Sequence, residues 1–454
     1  MNRRNFLQAS GATAAAAMMA NATAAKHTFP NHAPKVKRVI HLYMAGGMSH
    51  LESFDHKPAL AKMHGKPMPA EMTKGQQLAQ LQGKKLMYFG PRFKFKKWGQ
   101  SGQSISEMMP NIGSIADDIC IIRSMTNDQI NHDPAHTVMN TGMILNGRPS
   151  IGSWVNYAIG SENDNLPGYV VMSSEGGGQA QPLSSRQWSN GFLPGKFQGV
   201  KFNSVGDPVY YISNPKGVSR SQQGQMIDTL NKMNRLLKEK NNDAEISTRV
   251  AQYELAYRMQ QSIPELTDMK DESQKVLDLY GCKKPGDGSF ASNCLMARRM
   301  AERGVRYIQL YHRGWDHHGG IVKGFKTAAG LTDRATAGLI QDLKDRDMLK
   351  DTLIIFGTEF GRTPMSQGGS GRDHHMNCFS SFLAGGGIKG GISYGESDDF
   401  GYQVAKDKVH VRDLHATILH LLGLDSDRLS VPFQGLDQKL TGVEKAHILK
   451  KILS

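Results

Sequence analysis

Two apolar runs late in the chain each break at glycine and then supply acids and imidazoles within a few residues. Arg306-Tyr-Ile-Gln-Leu-Tyr311 leads into Gly314-Trp315-Asp316-His317-His318-Gly319-Gly320. Thr352-Leu-Ile-Ile-Phe356 leads into Gly357-Thr358-Glu359-Phe360-Gly361-Arg362, followed by Gly371-Arg372-Asp373-His374-His375. Runs of this kind read as strands buried in a sheet. Carboxylates and imidazoles at the carboxyl ends of buried strands are what a divalent metal site in an α/β protein requires.

The amino terminus reads as an export signal and not as part of the fold. Asn2-Arg3-Arg4-Asn5-Phe6-Leu7-Gln8 has the twin-arginine pattern, followed by an Ala-rich stretch through Ala20 and small-residue cleavage sites up to Ala24. The stretch is too short and too weakly apolar for a stable membrane span. The expected location is periplasmic or secreted, reached through the twin-arginine export machinery. The net charge of +14 in 454 residues suits an anionic partner such as a sulfated or phosphorylated polymer. Nucleic acid is disfavoured, because the basic residues are scattered and no recognition motif is present. Cys120, Cys282, Cys294 and Cys378 form no C-x-x-C pair. They read as structural or free, with Cys282 and Cys294 able to pair in an oxidising compartment.

Along the chain, Lys37–Met44 reads as a buried strand ended by Gly46-Gly47, and residues 58–102 as loop. A capped helix is expected from Ser106, then an apolar strand at Ile119–Ile122 and a second helix from Asn131-His132-Asp133-Pro134 to Thr141-Gly142. Residues 161–217 read as an excursion able to wall a cleft, and 219–279 as long, charged helix interrupted at Pro264. Helices are also expected at Phe290–Arg303 and Asp413–Gly423. Strands alternating with helices argue for an α/β sandwich with a mostly parallel sheet.

This order of parts resembles the alkaline phosphatase superfamily, which includes arylsulfatases and nucleotide phosphodiesterases. It is more closely similar to the exported, twin-arginine sulfatase-like family long labelled a domain of unknown function. The resemblance is carried by Gly46-Gly-Met-Ser-His50, Asn131-His-Asp-Pro134, Gly314-Trp-Asp-His317, Gly357-Thr-Glu-Phe-Gly-Arg362, Arg372-Asp-His-His375 and Asp413-Leu-His-Ala-Thr417. It implies a three-layer sandwich around a central, mostly parallel mixed sheet. The expected division is a signal at 1–25 and one catalytic domain at 26–454, with a loop-rich and helical insertion at about 161–290.

The resemblance also implies one divalent ion, Zn, Mn or Ca, held by Asp316, His318, Glu359, Asp373 and His374, with His50, His317 and His375 as extra or supporting ligands. It departs from the superfamily in two places. Gly46 or Gly47 stands where an acid follows the first strand, so a second ion requires His50 or Asp55 to restore it. Glu359-Phe360 replaces the usual Asp-His. No Cys or Ser has the Cys/Ser-x-Pro-x-Arg context from which formylglycine is made. The nucleophile position falls near His132, which either attacks directly or acts as a base for water, with His136 one turn along. Ser106 is the runner-up nucleophile. Arg362 is the first candidate for holding ester oxygens, ahead of Arg148 and Arg372. Trp188 and Trp315 either stack on a sugar or pack, and His415 is expected to be structural. The expected activity is a metal-dependent sulfuric ester hydrolase acting on sulfated polysaccharides or oligosaccharides without formylglycine. The alternatives are a phosphatase or phosphodiesterase of the same fold, or a non-catalytic anion-binding protein.

Overall fold

The computed structural model describes residues 29–181, 183–209, 214, 217–241 and 244–454. The export signal lies outside the described residues. Eleven strands organise the site: β1 (Arg38–Ala45), β2 (Ile119–Thr126), β3 (Tyr169–Glu175), β4 (Val200–Lys201), β5 (Tyr307–Arg313), β6 (Thr352–Gly357), β7 (Gly361–Gln367), β8 (Gly371–His375), β9 (Phe379–Gly385), β10 (Ile392–Tyr394) and β11 (Val409–His410). All but β7 and β8 join one sheet in the order β10-β2-β9-β6-β1-β5-β3-β4, with β11 also on β2. β1 runs parallel to both β5 and β6. β9 is antiparallel to β2 and β6, so the sheet is mixed but mostly parallel.

The period-two alternation of side chains, with both faces covered, explains why these strands are apolar throughout. Ile40, Leu42, Met44, Leu310, Ile354 and Phe356 face one side and pack with Leu295, Phe325 and Leu339. Those partners come from helices α6 (Phe290–Glu302) and α7 (Ile321–Asp345). Val39, Tyr43, Tyr311, Leu353 and Ile355 face the other side with Val138, Trp154 and Leu414. They meet α2 (His132–Thr141), α3 (Ile151–Ile159) and α8 (Val411–Leu421). Each fully buried aliphatic side chain contributes about 1.5–3 kcal/mol. The result is a three-layer α/β sandwich.

The structure differs from the sequence reading in four places. Residues 58–102 contain the short helix Pro58–Met63, and Phe95–Trp98 pairs with Gln103–Ser106 as a hairpin. Ser106 therefore ends a strand, and the helix starts only at Pro110. Its free N–H groups are met from afar: Asp333 of α7 accepts from Asn111 N at 2.9 Å and Ile112 N at 2.7 Å. β3, read as part of an excursion, is an interior strand parallel to β5. The charged stretch folds as α4 (Arg220–Asn241) and α5 (Ala244–Thr267), with Pro264 tolerated in the last turn of α5. The cysteines agree with their reading as structural or free: all four are free and buried, and Cys282 and Cys294 do not pair.

Candidate metal centre

The strand order places the exits of β6, β1 and β5 side by side at the middle of the sheet, where ligands bind in open α/β folds. β5 leaves through Gly314, with φ of 108°, and delivers Asp316. β6 delivers Glu359. β1 leaves between them through Gly46 and Gly47, with φ of 125° and 71°. A Cβ on Gly46 would lie 2.6 Å from the Asp316 amide nitrogen, and one on Gly47 would press on the Phe360 ring. The chain is glycine at this point because the neighbouring exits leave no room for a side chain.

Asp316 is the hub. His318 Nε2 stands 3.0 Å from Oδ1, His374 Nε2 3.5 Å from Oδ1, and His132 Nε2 3.3 Å from Oδ2. The ligating atoms of His132, Asp316, His318 and His374 lie within 4.8 Å of one another. The Nε2 atoms of His318 and His374 are only 2.9 Å apart. His132 Nε2 and His374 Nδ1 are buried with no hydrogen-bond partner. Gathered lone pairs and a carboxylate around one point fit a divalent cation. Mixed imidazole and carboxylate donors suit zinc and its first-row neighbours better than calcium, which takes oxygen.

Electrostatics agree with that fit. Burial alone would raise the Asp316 carboxyl, but the imidazoles of His132, His318 and His374 beside it and the Arg362 charge hold it well below the ordinary carboxylate range. Burial lowers His374 to about 4, leaving it neutral near pH 7. Neutral imidazole is the form that ligates a metal.

Glu359 stands beside this group. Its Oε1 meets His132 Nδ1 at 2.6 Å and accepts from Gly46 N at 2.9 Å, and Thr358 donates to Oε2 at 3.1 Å. Burial would raise it, but His136 and His132 outweigh burial and hold it at about 2. His132 is correspondingly raised, the two carboxylates overcoming its burial. His136 lies one turn along α2, its Nδ1 held by the Tyr43 hydroxyl at 2.8 Å and its Nε2 3.7 Å from Glu359. A second group of candidate ligands is thus His132, His136 and Glu359.

Several residues singled out in the sequence are placed elsewhere. β7 and β8 form an antiparallel hairpin whose register shifts by two residues between the pairs Arg372–Ser366 and His374–Arg362, with the extra residues on β7 opposite Asp373. Such a bulge re-aims side chains. The Asp373 carboxylate is turned away from the cluster, where it accepts from Gln80 N at 2.6 Å, Leu81 N at 3.0 Å and His374 N at 2.9 Å. Arg362 is fully buried, with Nε on Gly47 O at 2.8 Å, Nη1 on Arg372 O at 3.1 Å, and Nη2 on Gly46 O and Asp316. It ties the strand exits together and offers no donor to a substrate.

Arg372 is equally enclosed. It forms an ion pair with Glu52 of α1 (His50–Ser53) at 2.8 Å, and Arg148 bonds Gln438. His317 packs against Trp315 and Gly324, outside the cluster. His50 Nε2 bonds Gly401 O at 2.8 Å, and His375 bonds Tyr402 O while stacking on that ring. His50 also forms a separate buried group with Asp55 and Cys378. Trp188 and Trp315 are buried in the two cores, so neither presents a face to a sugar. His415 bonds Met139 O at 2.9 Å.

The sequence reading missed the neutral residues of the site. Gln181 donates to Asp316, Asn127 donates to the Glu359 carbonyl at 2.8 Å, and Gln367 meets His318 Nδ1 at 2.6 Å. None has a charge or a motif to mark it.

The family follows from the whole chain. Residues 36–453 match the model of a family described as a protein of unknown function, DUF1501. The chain belongs to the DUF1501 family. Residues 1–20 match the twin-arginine translocation signal, so this DUF1501 protein is exported. No helix of the described residues is long and apolar enough to cross a membrane. No curated protein matches the chain. Among solved structures, it is similar to the sulfatase PsFucS1 from Pseudoalteromonas sp., at 12% identity over 87% of this chain and 69% of that one, with a TM-score of 0.33. It is similar to the lipoteichoic acid synthase LtaP from Listeria monocytogenes, at 9% identity over 92% and 77%, with a TM-score of 0.36. A mutant TAB5 alkaline phosphatase aligns at 10% identity over 87% and 99%, with a TM-score of 0.34.

Proposed function

We propose that the protein is a metal-dependent sulfuric ester hydrolase that removes sulfate from sulfated polysaccharides or oligosaccharides without formylglycine. The observation that carries this reading is the convergence of Asp316, His318 and His374 on one point beside His132. Three ligands leave a divalent ion, zinc foremost, open to substrate, which is the arrangement of catalytic sites. When bound, such an ion supplies Lewis-acid charge to the ester oxygens.

His132 does the proton work. Glu359 takes Nδ1–H at 2.6 Å, which leaves the Nε2 lone pair facing the centre as a base. Nε2 accepts a proton from the attacking water as the water oxygen bonds sulfur, the bond from sulfur to the sugar oxygen breaks, and the same proton passes from Nε2 to that leaving oxygen, so that hydrogen sulfate and alcohol depart. Its position as the first residue of the ten-residue helix α2 adds the positive end of the helix dipole on the anion's side. The net charge of +14 favours a polyanionic substrate.

Sulfate is preferred over phosphate because Gly46 and Gly47 replace the acid that a second ion would need, and superfamily phosphomonoesterases generally use two. The His132, His136 and Glu359 group supports a second reading, a two-ion phosphatase or phosphodiesterase. Assays of the purified protein on sulfated glycans, with and without chelator, separate the two. Chelator-sensitive sulfate release supports the first reading. Turnover of phosphate esters with no sulfate release, and two ions per chain, would establish the second.

A further inference from the structure

His318 has an outer hydrogen bond that the proposed reaction does not use. Its Nδ1 lies 2.6 Å from Gln367 Oε1, while its Nε2 faces inward to Asp316 at 3.0 Å. Gln367 is itself fixed, because its Nε2 donates to Gln80 Oε1 at 2.8 Å. Gln80 hangs in turn from Asp373, whose Oδ2 accepts the backbone N–H groups of Gln80 and Leu81. With the Gln367 amide nitrogen directed at Gln80, its carbonyl is what faces His318. The hydrogen then sits on Nδ1 and the lone pair on Nε2.

We propose that Gln367 is a positioning residue for the cation site, fixing His318 in the tautomer that ligates through Nε2. Asp373, acting through the Gln80 segment, holds Gln367 in place. This rests on reading His318 as a ligand. It also accounts for Asp373, since the acid beside His374 orients a ligand at one remove. An imidazole in the other tautomer presents N–H to the ion and cannot bind it, and outer partners of this kind set metal affinity.

The test is zinc affinity of the metal-stripped, purified protein, measured by competition with a chromogenic chelator. Gln367→Leu removes the acceptor at similar volume and is expected to weaken zinc binding about 10–100-fold. Gln367→Glu can only accept from Nδ1 and is expected to bind near the wild-type value, a rescue that a purely steric role would not give. Gln367→Leu binding zinc as tightly as wild type would overturn the proposal, as would Gln367→Glu losing as much affinity as Gln367→Leu. His374→Ala separates the levels. If it abolishes binding while Gln367→Leu does not, only the role of Gln367 fails. If it leaves binding unchanged, the cation site itself is wrong and the proposal falls with it.

Discussion

His132 touches two carboxylates, and in the proposed reaction its two nitrogens divide the labour. Nδ1 belongs to Glu359 and Nε2 to the centre. His132→Ala is therefore expected to lower kcat by about 10²–10⁴-fold while elemental analysis still finds the metal. Loss of the ion in that variant would make His132 a ligand and not the base. Glu359→Gln is expected to lower kcat with little change in KM, because the carboxylate orients His132 and does not touch substrate. Asp316 and Glu359 are readable in the sequence as acids at strand exits. The separate uses of the two are not, because they depend on which side of β1 each strand lies. Asp373 shows the limit most sharply: beside a two-residue register shift in the hairpin, this apparent ligand faces the Gln80 backbone.

At the scale of elements, the β7–β8 hairpin carries His374 and must be held rigidly against the sheet. A fully buried ion pair does this. Arg372 reaches Glu52 through Nε and Nη2 and also bonds the carbonyls of Phe89, Gly90 and Thr363. Removing one partner leaves the other charge uncompensated in the core. Arg372→Met is expected to cost about 3–5 kcal/mol in denaturant unfolding, and adding Glu52→Gln to recover part of it. If Arg372→Met is neutral, the hairpin is not anchored there. The helices with local signals are legible: Asn131 to Gly142 begins and ends as its Pro134 and left-handed Gly142 predict, and α8 carries a capping box at His410 and Asp413. Ser106 misleads because the helix it seems to cap is capped instead by Asp333, 222 residues from Asn111. β3 escapes a reading of the sequence because its apolar run, Tyr169–Met172, is short and flanked by Gly and Ser. Only its pairing with β5 identifies it.

For the whole molecule, the layered α/β sandwich is legible because buried parallel strands need continuous apolar runs with helices on both faces. The order of the strands is not, since sheet neighbours such as β1 and β6 lie hundreds of residues apart. Two twin-arginine residues precede this domain, and Arg3→Lys with Arg4→Lys is expected to retain the protein in the cytoplasm, seen by cell fractionation. Unchanged export would mean another route. The central claim is that Asp316, His318 and His374 share one cation at the rim of the sheet. Crystals of the zinc-loaded protein, with anomalous scattering recorded at the zinc edge, test it most directly. The account predicts one strong peak bonded to those three side chains, with His132 Nε2 facing the open side. A peak held instead by Glu359 and His136, or none at Asp316, would contradict it.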